Sequence, residues 1–126
     1  MRIQAVRGAV GIGENSEDAI ISGTEKLMKE LLGKNCMEEE NIVSVQFTVT
    51  GDLTAANPAT VFRRLGFGET PLFCSLEPPF EGAMERIVRV LLTAYTDEEE
   101  ELVPVYIQGA EKLRPDITGK ASDGPK

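Results

Sequence analysis

Apolar and polar positions alternate most cleanly between Val43 and Thr50, where Val43, Val45, Phe47 and Val49 share one face and Ser44, Gln46, Thr48 and Thr50 the other. A period of two is that of a strand with one apolar face. Arg2 to Val10 alternates more loosely, with Ile3 and Ala5 on one side, and reads as a strand running into the turn signal Gly11-Ile12-Gly13. Asn15 or Ser16 then caps a helix whose first turn carries Glu17 and Asp18. Ile20, Thr24, Leu27 and Leu31 recur along it at three-to-four spacing, and it stops near Gly33. After the Gly51-Asp52 turn, Asn57-Pro58 opens a short helix with proline at its first position, ending near Gly66. Pro71 to Glu77 reads as a short strand closed by Pro78-Pro79. From Gly82 to Thr96, Ala83, Ile87, Val90, Leu91 and Ala94 form an apolar stripe opposite Glu85, Arg86, Arg89 and Thr93, which predicts a second long helix. Asp97 to Glu101 is a solvated acidic turn, and Val103 to Gln108 a last strand that Pro104 places at an edge or beside a bulge.

No repeat or internal linker interrupts this order, and 126 residues make one ordinary domain. Residues 1–115 are expected to form it, and the polar, breaker-rich residues 116–126 a mobile tail. Some connections are too short for helical crossovers. The pattern therefore predicts an α+β protein, a mixed β-sheet with helices packed on one face. The polar side of Val43 to Thr50 then faces either water or a wet subunit interface.

Composition narrows the function. Hydrophobic residues make up 41% of the chain, enough for a core, but no apolar run reaches transmembrane length and the first residues lack the features of a signal peptide. Cys36 and Cys74 suit neither a disulfide framework nor a common metal site, so no metal ligands are expected and a reducing cytoplasm is the default compartment. The net charge of −8 argues against nucleic acid or an anionic membrane as partner. An acidic chain that takes an anionic ligand must gather its arginines locally. Histidine is absent, which excludes serine–histidine triads and leaves carboxylate, cysteine, tyrosine or lysine chemistry, or catalysis without proton transfer.

Taken singly, the candidate residues have ordinary explanations. Arg7 reads as an arginine snorkelling at a sheet rim, Arg89 as part of a solvated helix face, and Cys74 as a small core residue. Glu77 is a strand end, Tyr106 a half-buried packing residue, and Arg114 the first charge of the tail. Together they stand in segments whose order and spacing are informative: Arg7-Gly8-Ala9, the Cys74 to Glu77 strand, Arg89 to Thr93, and Val105 to Ala110 followed by Leu113-Arg114-Pro115-Asp116. In this arrangement the chain resembles the monofunctional chorismate mutases of the trimeric α+β class typified by Bacillus enzymes, from its first residues to Asp116.

The resemblance implies a homotrimer that forms a pseudo-α/β-barrel, with active sites at the subunit interfaces and no cofactor. The substrate is chorismate, a dianion that rearranges to prephenate by bond exchange within one molecule. That reaction needs a compact bound conformation and stabilisation of negative charge on the breaking ether oxygen. Arg89 would donate to that oxygen and to a carboxylate, Arg7 would pair with a carboxylate, and Tyr106 would donate to one. Glu77 would accept from the ring hydroxyl, with Cys74 lining that side, while Arg63 and Arg114 draw the dianion in. Phe73 and Leu113 complete the implied substrate-binding set. One chain would supply Arg7, Cys74, Glu77, Arg89 and Tyr106, and its neighbour the wall containing Asn57, Ala59, Thr60 and Arg63.

Two positions depart from the family pattern: Asn57 stands where Bacillus members have an aromatic residue, and Thr60 where they have a lysine. Substrate affinity is the property these changes affect. Two other functions suit the same architecture, an imine-hydrolysing enzyme and a non-catalytic module that binds an aromatic-pathway metabolite.

Overall fold

The segment expected to be a second long helix is instead a turn leading into the central strand of a sheet. The computed structural model describes residues 1–114, so the expected tail over 116–126 lies outside the described residues. Its strands are β1 (Arg2–Gly11), β2 (Ile42–Val49), β3 (Leu72–Leu76), β4 (Ile87–Thr96) and β5 (Val105–Ile107), in the spatial order β3-β2-β4-β1-β5. β4 runs antiparallel to both β1 and β2, while β3 and β5 extend the edges in parallel with β2 and β1. The sheet is mixed, as expected.

β4 misleads because its apolar residues fall on both sides. Val88, Val90, Leu92 and Ala94 enter the core, but Ile87, Leu91 and Tyr95 occupy the alternate positions. A nearly continuous apolar run matches the helical template as well as the strand template. β-branched Ile87, Val88, Val90, Thr93 and Thr96 favour the strand, and pairing along its full length with β1 decides the matter. The preceding turn has positive φ at Gly82 (80°) and Arg86 (50°). Arg86, a poor residue for that conformation, is held by its N–H donating to both Asp52 carboxylate oxygens at 3.1 and 3.0 Å, and by its Nε donating to the Ile12 carbonyl at 3.0 Å.

Both helices lie on one face of the sheet. α1 (Glu17–Lys34) is capped by Ser16, whose Oγ accepts from the Ala19 N–H at 3.1 Å. Asn15 acts differently. Its Oδ1 accepts from the N–H groups of Thr54 and Ala55, tying the start of α1 to the loop after β2. Ile20, Leu27, Met28 and Leu31 of α1 pack with Val10, Val45, Phe47, Val88, Val90 and Leu92 in one core. Each such side chain contributes about 1.5–3 kcal/mol on burial. Gly8 makes the close packing possible, since a Cβ there would stand 3.1 Å from Leu27 and 3.0 Å from the Val105 carbonyl oxygen. Buried Asn35, just past α1, accepts from the Val103 N–H at 2.7 Å and donates to the Val103 and Leu31 carbonyls, fixing the approach to β5.

α2 (Ala59–Arg64) begins one residue after the expected proline, and Asn57 Oδ1 accepts from the Ala59 N–H at 2.9 Å. β2 also departs in one detail. A register shift between Ile42 and Ser44 places Ile42, not Val43, on the core face, and Val43 is exposed. β5 is shorter than the expected strand and starts after Pro104. A 3-10 turn, Ala110–Leu113, follows it.

The sheet's other face is uncovered within one chain. It carries Arg7, Thr48, Arg89 and Tyr106 beside apolar Ile3, Phe73, Leu91 and Tyr95, of which Ile3 and Phe73 are 58% and 66% exposed. Among the described residues no helix is long and apolar enough to cross a membrane.

Candidate active site

The period of the strands sets the site. Ala9 pairs with Arg89 across β1 and β4 and with Tyr106 across β1 and β5, Arg7 pairs with Leu91, and Thr48 pairs with Arg89 across β2 and β4. Paired residues point to the same side of a sheet. Arg7, Thr48, Arg89 and Tyr106 therefore all rise from the face opposite the helices. Glu77, just beyond β3, is brought in by its N–H donating to the Val49 carbonyl at 2.8 Å. The result is a cleft of about 300 Å³ lined by Arg7, Gln46, Thr48, Glu77, Arg89, Leu91 and Tyr106. It is the size for one small metabolite.

At its floor Arg89 Nε lies 2.8 Å from Glu77 Oε1, and Thr48 Oγ1 donates to that same oxygen at 2.7 Å. The Glu77 side chain is 20% exposed and that of Arg89 40%, so the pair is partly shielded. The Nε hydrogen is not aimed at Oε1: the contact is an ion pair by distance, while Nε, itself inaccessible to solvent, has no directed hydrogen-bond acceptor. Arg89 is thus oriented by a carboxylate on its Nε side. Tyr106 is 8% exposed and packs with Ala9, Ile87 and Ala110, which leaves its ring fixed at the wall of the cleft. Two guanidinium groups and a phenol on one side, and an anchored carboxylate on the other, suit a dianion that also carries a hydroxyl.

The other expected residues lie elsewhere in the single chain. Cys74 is a correction. It pairs in parallel with Phe47 and packs against the core, so it lies on the helix face and not beside Glu77. Burial pushes its thiol pKa up, which keeps it a neutral group and not a nucleophile near neutral pH. Phe73, one residue earlier, is on the open face but at the sheet's edge. Asn57, Ala59, Thr60 and Arg63 are on or beside α2 and do not line this cleft. Leu113 packs against the cluster of Ala9, Ile87, Tyr106 and Ala110, and Arg114 ends the 3-10 turn nearby.

Thr48, Gln46 and Leu91 are cleft residues that motif reasoning passes over. The polar alternation of β2 was the available signal for Thr48 and Gln46, but it identifies a wet face without saying what the face holds. A larger cleft among the described residues, about 590 Å³, is lined by Glu38, Glu39, Glu40, Ile42, Glu69 and Thr70. Its acidic rim repels an anion, so size does not mark the site here. Among the described residues no cluster of three or more histidine, cysteine, aspartate or glutamate side chains is placed to hold a metal ion.

The family model described as chorismate mutase type I matches residues 3–117. The chain belongs to the chorismate mutase type I family. Two curated members named chorismate mutase AroH are similar over nearly their whole length. The Thermus thermophilus protein is 37% identical over 91% of this chain and 96% of its own, and the Bacillus subtilis (strain 168) protein 30% identical over 94% of each. A solved structure, chorismate mutase from Clostridium thermocellum, superposes with a TM-score of 0.84 at 40% identity, covering 87% of this chain and 99% of that one. Neither the imine-hydrolysing nor the metabolite-binding reading is favoured by membership of a chorismate mutase family.

Proposed function

We propose that this chain is an isomerase that rearranges chorismate to prephenate in phenylalanine and tyrosine biosynthesis, at the cleft of Arg7, Glu77, Arg89 and Tyr106, in the cytoplasm. The observation that carries the proposal is the Arg89 guanidinium held 2.8 Å from Glu77 in one cleft with Arg7 and Tyr106. In the rearrangement an ether C–O bond breaks as a C–C bond forms within the same molecule. No proton changes hands. The site must fold the substrate over itself and meet the negative charge that grows on the ether oxygen.

Arg89 donates to that oxygen and a carboxylate, Arg7 and Tyr106 hold the substrate's carboxylates, and Glu77 accepts from the ring hydroxyl. Because Glu77 also orients Arg89, its negative charge stays near the ring as positive character develops there. Leu113 and Arg114, in and after the 3-10 turn that follows β5, close the same side. Neither a metal nor an organic cofactor is needed for any of these steps.

The same proposal includes a homotrimer. The uncovered, partly apolar sheet face, with Ile3, Phe73 and Tyr95 58%, 66% and 43% exposed, supports packing of three sheets around an axis with helices outside, a pseudo-α/β-barrel. The neighbour's α2 segment then walls the cleft with Asn57, Ala59, Thr60 and Arg63, and Phe73 joins the substrate-binding set from the edge of the open face. Light scattering should give the mass of three chains, and a monomer at micromolar concentration would refute the shared site.

Turnover of chorismate by the purified protein is the test of function, and Arg7 gives it a sharper form. Arg7 is exposed on the open face and binds in the ground state as well as in the transition state. Arg7→Ala should raise KM by about 10-fold or more, the loss of a charge-assisted hydrogen bond, and change kcat less. Added salt should raise the parent's KM in the same direction. A salt-independent KM, unchanged in the variant, would place the substrate elsewhere.

A further inference from the structure

We infer that Thr48 is a positioning residue for the rearrangement, acting through Glu77 and not by touching substrate; this rests on the proposed function. Three observations converge on it. Thr48 stands directly opposite Arg89 in the β2–β4 register, on the open face. Its Oγ1 donates at 2.7 Å to Glu77 Oε1, the oxygen that also lies 2.8 Å from Arg89 Nε. And Glu77 belongs to the segment after β3, tied to β2 by the backbone bond from its N–H to the Val49 carbonyl.

Glu77 sits just before Pro78-Pro79, past the last residue of an edge strand, where a carboxylate side chain has several rotamers open to it. The backbone bond fixes its Cα but not its χ angles. Thr48 supplies the missing restraint. With Oε1 shared between the threonine hydroxyl and the Arg89 guanidinium, one orientation of the carboxylate is selected, and Oε2 has no hydrogen-bond partner among the described residues. That second oxygen is the one left to accept the substrate's hydroxyl. Threonine suits the position because its β-branched side chain has few χ1 states in a strand and its methyl group fits a partly buried wall. A positioned hydroxyl donor is also neutral, so it directs the carboxylate without competing with Arg89 for the dianion.

The experiment is a double-mutant cycle with steady-state kinetics on chorismate, using the full chain. Thr48→Val removes the hydroxyl at nearly constant volume, and Thr48→Ser keeps it. Thr48→Val should lower kcat by about 10-fold, the lower end for a hydrogen bond to a charged group, with KM moving less. Thr48→Ser should stay within about twofold to threefold of the parent, since the donor is retained. In a Glu77→Ala background, Thr48→Val should have no further effect, because the group it orients is gone. A merely structural threonine would instead add its loss in both backgrounds and would show as a lowered melting temperature in each. A folded Thr48→Val protein with the parent's kcat, or an equal loss with and without Glu77, would overturn the inference. Because the parent is measured in the same assay, the two failures separate: a turning-over parent with an indifferent Thr48 sinks this inference alone, and an inactive parent sinks both.

Discussion

Arg89→Ala is expected to lower kcat by about 100- to 1,000-fold, the range seen when a donor to a developing oxyanion is removed. The fall should appear in kcat and kcat/KM alike, because the interaction strengthens as the ether oxygen gains charge. The fold should survive. Arg89 is 40% exposed at its side chain, its carboxylate partner keeps the Thr48 hydrogen bond, and the β4 pairing on either side is backbone-based. Arg89→Lys separates charge from geometry. Lysine keeps the positive charge but has no planar fork to span an ether oxygen and a carboxylate, so it should recover only a small part of the loss. A loss under about tenfold in the alanine variant, with substrate still bound, would place the charge stabilisation somewhere other than Arg89.

The second large effect is structural, and it reaches the site through β5. Gly11→Ala would put a Cβ 2.1 Å from the carbonyl oxygen of Gln108, a backbone atom that cannot rotate away. Gln108 has φ of 54° and is followed by Gly109 at 95°, the sharp turn that leads from β5 into the Ala110–Leu113 segment. Relief must therefore come from separating the end of β1 from this turn. Overpacking of this kind costs about 1–3 kcal/mol, and for a domain of this size the midpoint of thermal unfolding should fall by about 5–10 °C. Tyr106 is paired with Ala9 two residues away, so kcat/KM should fall as well. Calorimetry beside kinetics checks both, and a variant that melts within a degree of the parent would show that the β1–β5 junction yields easily.

How much of this was legible in the sequence depended on the kind of signal. The alternation of β2 and the Ser16-Glu17-Asp18 start of α1 are local patterns, and both lie where they were expected except at Val43, which the register shift turns outward. β4 was not legible by period. Its apolar residues occupy both faces because one face meets the helices and the other, at Ile87, Leu91 and Tyr95, belongs to the side of the sheet uncovered in a single chain. A stripe every three or four residues can be found in any such run. Its strand character is fixed by β1 and β2, which are remote in sequence. The same holds for the site: Arg7, Glu77, Arg89 and Tyr106 were singled out by resemblance to a family, whereas their meeting in space follows from a mixed sheet that periodicity could not order. Cys74 shows the limit of motif reasoning. It shares a short segment with Glu77, yet three residues along a strand reverse the face, so the two side chains point apart.

Composition had a narrower use. The absence of histidine is compatible with a rearrangement that moves no proton, and the net charge of −8 makes the presence of Arg7 and Arg89 on one face informative. An acidic protein repels a dianion on average, so a local positive cleft is needed to overcome the mean field. Asn57 has a structural role that its place in the family pattern does not reveal: it caps the start of α2 through Oδ1.

The most direct measurement is product identification. Purified protein is incubated with chorismate without added cofactor, the loss of substrate is followed by absorbance, and the quenched mixture is resolved by NMR. The account predicts stoichiometric conversion to prephenate, at a rate well above that of the solution without enzyme. Recovery of unchanged chorismate in the presence of well-folded protein, or conversion to any other product, would contradict it.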